Sequence, residues 1–208
     1  MNMLSYFQDI DTRVKEMYAL AETCKSKGLD PDVHVETPLA QNMAERVVGL
    51  ISVLVPQIKH TTIVQRISEL EKQYAAQDWR VALTVAHEVA QEKFCKFKDK
   101  KEALEVGIRV GIAYITNGVV SSPLEGFVRL ELKKRKDGKE YFSLSYSGPV
   151  RSAGGTGASV SLVIADYIRT HMGYAVYDPD EKEIKRTFSE LDFYHERVTN
   201  LQYLPSEE

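Results

Sequence analysis

Cysteine is almost absent. Cys24 and Cys95 are the only two, they lie far apart, and neither belongs to a C-x-x-C pair. That excludes a disulfide scaffold and a thiolate zinc centre, and it fits a reducing compartment. Long apolar runs are missing as well. The longest, Val47 to Val55, covers nine positions and contains a Gly and a Ser, whereas a membrane-spanning helix needs about 20. The start, Met-Asn-Met-Leu-Ser-Tyr, has no basic segment leading into an apolar one. No secretory signal and no membrane partner are therefore expected, and the chain is placed in the cytoplasm. Positive charge is not in excess either. Lys plus Arg number 27 against 30 Asp plus Glu, a net charge of −3. A strongly basic nucleic-acid wrapper is excluded, while a local basic face is not.

What remains is an ordinary globular composition, 208 residues with 43% hydrophobic and 27% charged positions. Residues 4–27 read as an amphipathic helix, with Ile10, Val14, Met17, Ala21 and Cys24 at spacings of four and three and Gly28 placed to stop it. Leu29 to Asp32 is a turn. A second helix is expected from Gln41 to Leu54, closed by Pro56. A third starts near Thr61, with Ile63, Val64, Ile67, Leu70 and Tyr74 on one face. Asp78 caps a fourth, whose stripe is Ala82, Val85, Ala86 and Val89. Asp99 and Glu102 have capping-box spacing at the head of a fifth helix, which ends near Asn117-Gly118.

There the period changes from helical to alternating. Phe127, Val128, Leu130 and Leu132 precede Asp137-Gly138, and Tyr141, Phe142, Leu144 and Tyr146 follow it. An Asp-Gly pair between β-rich segments predicts a hairpin. A helix through Val160, Ile164 and Ile168 comes next, and Asp180 with Glu183 opens a last one. The fold class is α+β and predominantly helical. A helical N-terminal region over 1–97 is followed by an αββαα region over 98–208, with its hairpin at 125–147. Leu201 to Glu208 offers no cap and no closing apolar element, so the sequence reads as a piece cut from a longer chain.

The segment Ser147 to Ser159 joins a strand to a helix and holds Gly148, Gly154, Gly155 and Gly157. Backbone N–H groups can converge in such a turn, and the helix N-terminus adds positive potential. Arg151 can pair bidentately with phosphate, Ser152 and the Gly154-Gly155 pair lie beside it, and Thr156 is a natural N-cap. An anion site carried by Arg151, Ser152, Gly154, Gly155 and Thr156 stands against a plain tight turn. The loop has neither the Gly-Lys-Ser/Thr ending of a P-loop nor dinucleotide-fingerprint spacing. Between Ser121 and Arg151 there are seven basic and four acidic residues, and between Gly173 and Glu208 four basic and nine acidic. Lys133, Lys134, Arg135 and Lys136 can neutralise nucleic-acid phosphates, or simply solvate a hairpin tip and discourage edge pairing.

Complete catalytic sets are missing. His87-Glu88-Val89-Ala90-Gln91 lacks the second histidine of a helical zinc motif, and the five histidines have no ligand spacing. His171 and His195 fall near helix C-termini, and Asp178 and Asp180 have turn and cap positions. No catalytic residue, metal ligand or cofactor is assigned to this chain. A small-molecule phosphate-binding, kinase-like domain and a purely structural interaction scaffold are the alternative readings.

Longer stretches carry a resemblance. Ser145-Tyr146-Ser147-Gly148-Pro149-Val150-Arg151-Ser152-Ala153-Gly154-Gly155-Thr156, running into Leu162 to Arg169, resembles the N-terminal region of the large subunit of archaeal family-D DNA polymerase. So do Asn117 to Gly126, Phe193 to Tyr203, and Asp32-Val33-His34-Val35-Glu36, in matching order from Tyr6-Phe7 onward. The resemblance implies a replicative DNA-directed DNA polymerase several times longer. Its polymerising double-psi β-barrels and metal-binding carboxylates lie downstream, and it needs Mg2+ as a complete enzyme. It implies DNA, the remainder of the large subunit and a small exonuclease subunit as partners, leaves self-association open, and assigns this region to assembly and DNA placement. A KH-like module is also implied, although a KH loop joins two helices and the Gly-rich loop here follows a strand.

Overall fold

The computed structural model describes residues 3–29, 40–119, 122–148, 150 and 155–198. The contacts divide the chain into two units, Met1–Pro38 and Leu39–Glu208. Among the described residues the first unit holds one helix, α1 (Met3–Ser26), which buries none of its side chains. Phe7, Ile10 and Met17 stay exposed along its apolar stripe. The pairs Arg13–Asp9 at 3.0 Å and Lys15–Asp11 at 2.5 Å brace its polar face at i,i+4 spacing.

In the second unit, helices α2 (Met43–Ser52), α3 (Ile63–Tyr74), α4 (Trp79–Ala90) and α5 (Lys100–Ile115) come first, with a 3-10 turn at Pro56–Ile58. A π-helical turn at Ser122–Gly126 leads into the hairpin of β1 (Phe127–Lys134) and β2 (Glu140–Tyr146), followed by α6 (Gly155–His171) and α7 (Glu181–Arg197). The α+β, mainly helical class and the αββαα order of the second half are as the periodicity predicts. Cap chemistry sets most starts. Asn42 accepts from the Glu45 N–H at 2.9 Å, Asp78 from Arg80 at 2.8 Å and Asp99 from Glu102 at 2.8 Å. The return arm at Asp99 differs from the expected box, because Glu102 accepts from the Lys98 N–H at 2.7 Å, one residue outside the cap. The expected box at Asp180 and Glu183 forms in both directions.

Two clusters make the core, and α5 lies between them. Val106, Val110, Ala113 and Tyr114 face a cluster built from α2, α3, α4 and the 3-10 turn, including Ile51, Ile58, Ile67 and Val85. Leu104, Ile108 and Ile112 face the other, with Phe127, Leu130, Ile164 and Ile168 from the hairpin and α6. This double engagement is why α5 is apolar around most of its circumference. Close approach to α4 depends on missing side chains. A Cβ at Gly107 would lie 2.6 Å from the Ala86 carbonyl oxygen, and one at Gly111 would lie 2.9 Å from Ile164 Cγ2 and 3.1 Å from Ala86 Cβ. The expected boundary between 97 and 98 falls in the connection between these two packed helices.

Two polar side chains at depth, Glu88 and Tyr114, are well paired. Glu88, only 7% exposed, receives two hydrogen bonds from Arg66, Nε at 2.8 Å and Nη2 at 2.9 Å, and faces Lys93 Nζ at 3.3 Å. Burial pushes its carboxyl up, but Arg66 and Lys93 outweigh that and hold it below its ordinary value. The buried Tyr114 hydroxyl donates to Glu71 Oε1 at 2.8 Å and accepts from the Gln77 N–H at 2.9 Å.

Candidate functional site

The hairpin is held to α5 by two side chains. Arg109, 8% exposed, donates through Nη1 to the carbonyls of Pro123 (2.5 Å), Leu124 (3.3 Å) and Phe127 (2.7 Å), and through Nη2 to Val128 (2.8 Å). Its guanidinium also lies 4.9 Å from the Phe127 ring centre. Burial lowers its pKa, with the Glu105 charge opposing that shift. Glu105 in turn accepts from the Leu130 N–H at 2.7 Å. Together they occupy outward backbone groups of β1 and orient the hairpin. A lone Arg in an apolar helix carries no sequence signal for this clamp.

From that base the strands run antiparallel, Phe127 opposite Tyr146 and Lys134 opposite Glu140, with a bulge between Phe127 and Arg129. Gly138 takes φ +82 in the tip, the positive value that its Asp-Gly pair predicts. Lys133, Lys134 and Lys136 are exposed there, and Arg135 is half-buried. Arg135 donates to the Val176 carbonyl at 3.0 Å and pairs with Asp137 (3.3 Å) and Asp178 (3.5 Å). It therefore ties the tip to the segment after α6. Lys139 pairs with Asp137 at 3.6 Å, while Arg129 and Lys133 share Glu131 at 3.3 and 3.7 Å. Lys134 and Lys136 make no ion pair within 4 Å among the described residues, although the Lys136 charge is among those that hold the Glu183 carboxyl below its ordinary value, after Tyr177 and the Asp180 N–H.

The Gly-rich loop lies at the other end of the hairpin. Arg151, Ser152 and Gly154 lie outside the described residues. Gly155 is the first residue of α6, with φ +50 and open space where a Cβ would stand. Thr156 is exposed inside the first turn of α6, so it is not the residue before the helix, as an N-cap would be. The described strand end that leads into the loop, Tyr146, is remote from the lysine tip. Six residue steps of β2 separate Glu140 from Tyr146, roughly 20 Å of strand.

Elsewhere a few aromatic side chains have partners across elements. Tyr146 Oη and Ser161 Oγ are 2.7 Å apart, packing β2 on α6. Tyr177 donates to Glu183 Oε1, which pushes its phenol up to about 12. His87 and His171 approach with ring centres 5.3 Å apart, and His87 Nε2 is buried without a hydrogen-bond partner among the described residues. No group of three or more His, Cys, Asp or Glu side chains among the described residues is placed to hold a metal ion.

Known proteins match this sequence over nearly its whole length. The family described as DNA polymerase II large subunit DP2, N-terminal, matches residues 5–208. A DNA polymerase II large subunit of Nanoarchaeum equitans is 45% identical over 203 residues, which are 98% of this chain and 16% of the relative. The large subunit of Methanococcoides burtonii is 40% identical over 206 residues, 99% of this chain and 17% of that one. The subunit of Thermococcus kodakarensis is 36% identical over 205 residues, 98% of this chain and 11% of its own length. The chain thus spans less than a fifth of the curated relatives it matches. The matched residues include those of the hairpin and of the loop beyond it. The chain belongs to the N-terminal region of the DNA polymerase II large subunit family.

Proposed function

We propose that this chain is a non-catalytic part of a replicative, DNA-directed DNA polymerase, serving subunit assembly and DNA placement. The names of its relatives support DNA as the substrate and a second subunit as partner. The small exonuclease subunit and the remainder of the large subunit are the partners we assign. The polymerising chemistry and any Mg2+ belong to residues outside this chain. No helix among the described residues is long and apolar enough to cross a membrane, and we place the complex in the cytoplasm.

The observation that carries DNA placement is the pair Lys134 and Lys136, exposed at a hairpin tip whose other cations are already engaged. Such side chains can meet a phosphate backbone without breaking an internal pair. Each phosphate they neutralise would release counterions and steepen the salt dependence of binding. The test is the complete two-subunit polymerase carrying Lys134→Ala and Lys136→Ala, titrated on primed DNA at several salt concentrations. The log–log salt slope is expected to fall by about 1 for each phosphate that the variant no longer neutralises. An unchanged affinity and slope would remove the hairpin from DNA placement and leave the scaffold reading.

A further inference from the structure

We propose that the apolar face of α7, continuous with a groove between α6 and β2, is the seat of the part of the large subunit that follows this region in the full chain. The proposal rests on the family assignment and is independent of the lysines at the hairpin tip.

α7 is well started and unsupported. Asp180 Oδ1 accepts from the Lys182 and Glu183 N–H groups at 2.9 Å each, and Glu183 Oε2 accepts from the Asp180 N–H at 2.9 Å. Tyr177 braces the same carboxylate. The helix nevertheless buries none of its side chains. Ile184, Phe188, Leu191 and Val198 recur at i, i+4, i+7 and i+14, a single stripe. Ile184 is 58% exposed, Leu191 40% and Val198 60%, with Phe188 half-buried. Amphipathic helices of this length gain most of their stability by packing such a stripe.

The stripe opens onto a groove of about 1050 Å³ that includes Tyr177, Pro179, Ile184, Phe188 and Leu191. Tyr177 also borders a second groove of about 270 Å³ with Phe142, Leu144, Leu162, Ala165 and Val176. Leu162 and Val176 are each 54% exposed. Two pairs of charges on the rim are matched internally, Arg186–Glu190 at 3.0 Å and Arg169–Asp166 at 2.7 Å, while Lys185 also lines the larger groove. Between those pairs runs an exposed apolar strip, the kind of surface that suits packed protein.

The relatives supply the occupant. This chain is 16% and 17% of two of them, and the family is described as N-terminal, so most of the subunit follows α7. A segment tethered directly behind the helix acts at millimolar effective concentration, so a modest apolar contact suffices.

The test is hydrogen exchange on the full-length large subunit, alone, beside the 208-residue chain. The α7 amides are expected to exchange at least about tenfold more slowly in the full-length subunit. Ile184→Ser with Leu191→Ser should return them to the rate of the 208-residue chain, whose own helix content the two exposed changes leave intact. Equal α7 exchange in both proteins overturns the proposal. Protection that appears only when the small subunit is added, or only at high concentration of the 208-residue chain, assigns the face to that partner or to a second copy and also overturns it. The DNA salt slope reads the hairpin separately, so failure of either reading leaves the other standing.

Discussion

Gly107→Ala should destabilise the protein although alanine is the better helix former. In an exposed helix the exchange gains about 1 kcal/mol. Here the new Cβ would lie 2.6 Å from the Ala86 carbonyl oxygen, 3.1 Å from Ala90 Cβ and 3.2 Å from the Ala90 nitrogen. Two of these atoms are backbone of α4, so no side-chain rotation relieves the overlap and the helices must separate. Carbon atoms pack at roughly 3.5–4.0 Å, and overpacking of this kind costs about 3 kcal/mol at its upper range. The net loss is about 2 kcal/mol, or roughly 4–8 °C in Tm for a chain of this size. Gly157→Ala is the control with the opposite sign. Its nearest neighbour would be Thr116 Cγ2 at 3.9 Å, an ordinary distance, so about 0.5–1 kcal/mol of helix propensity is gained. Gly111→Ala falls between, because its nearest obstructions are side-chain carbons at 2.9 and 3.1 Å and not a backbone oxygen at 2.6 Å. Urea unfolding of the four proteins, followed by circular dichroism, should give the order Gly157→Ala, wild type, Gly111→Ala, Gly107→Ala. A Gly107→Ala protein as stable as wild type, with the same denaturant slope, would refute the reasoning from helix approach.

Two further perturbations test groups at depth. Glu88→Gln leaves Arg66 facing a neutral partner and should cost about 1–2 kcal/mol, given that Arg66 is partly solvated. Because the folded carboxyl is held below its ordinary value, the pair's stabilisation is present above about pH 4.3 and lost as pH falls through the folded value. The stability gap to the variant should therefore close in acid, and a pH-independent gap would contradict the assignment. His87 has its pKa lowered by burial first, then by His171, Lys93 and Lys100, with Glu88 opposing. The fold prefers its neutral form, so stability should fall as pH drops below about 6.5, the unfolded value. His87→Phe should flatten that part of the curve, and unchanged curvature would show that His87 does not titrate against folding.

The elements themselves were legible because local chemistry sets them. Asp78, Asp99, Asp180 and Gly138 act where the spacing puts them, as three helix caps and a hairpin turn. The helix through Ala82, Val85, Ala86 and Val89 forms with that stripe buried. What local pattern does not show is which faces meet. Gly107 and Gly111 read alone as helix-weakening residues, and only the approach of Ala86 and Ile164 turns them into a packing requirement. Glu88 likewise reads as a surface carboxylate until Arg66, 22 positions earlier, reaches it. The start of α6, at Gly155, falls just before the cap expected at Thr156. α6 is bounded by Gly155, whose φ of +50 marks a turn of the backbone into the helix, and local pattern does not choose a helix end to within one residue.

The candidate site shows the same limit more sharply, because charge counted along a chain is not charge presented by a surface. The run Lys133-Lys134-Arg135-Lys136 suggests four equivalent phosphate contacts. Arg135 is instead spent on Asp137, Asp178 and the Val176 carbonyl, and Lys133 shares Glu131 with Arg129. Asp178 lies in the very segment whose acidic excess the sequence sets apart from the basic one. The two segments are thus partners at this point, and one basic residue of the run works as a strut. A polyanion approaching the tip meets a neutralised base and two exposed lysines, so the salt slope attributable to the hairpin should be near 2 or below, not 4.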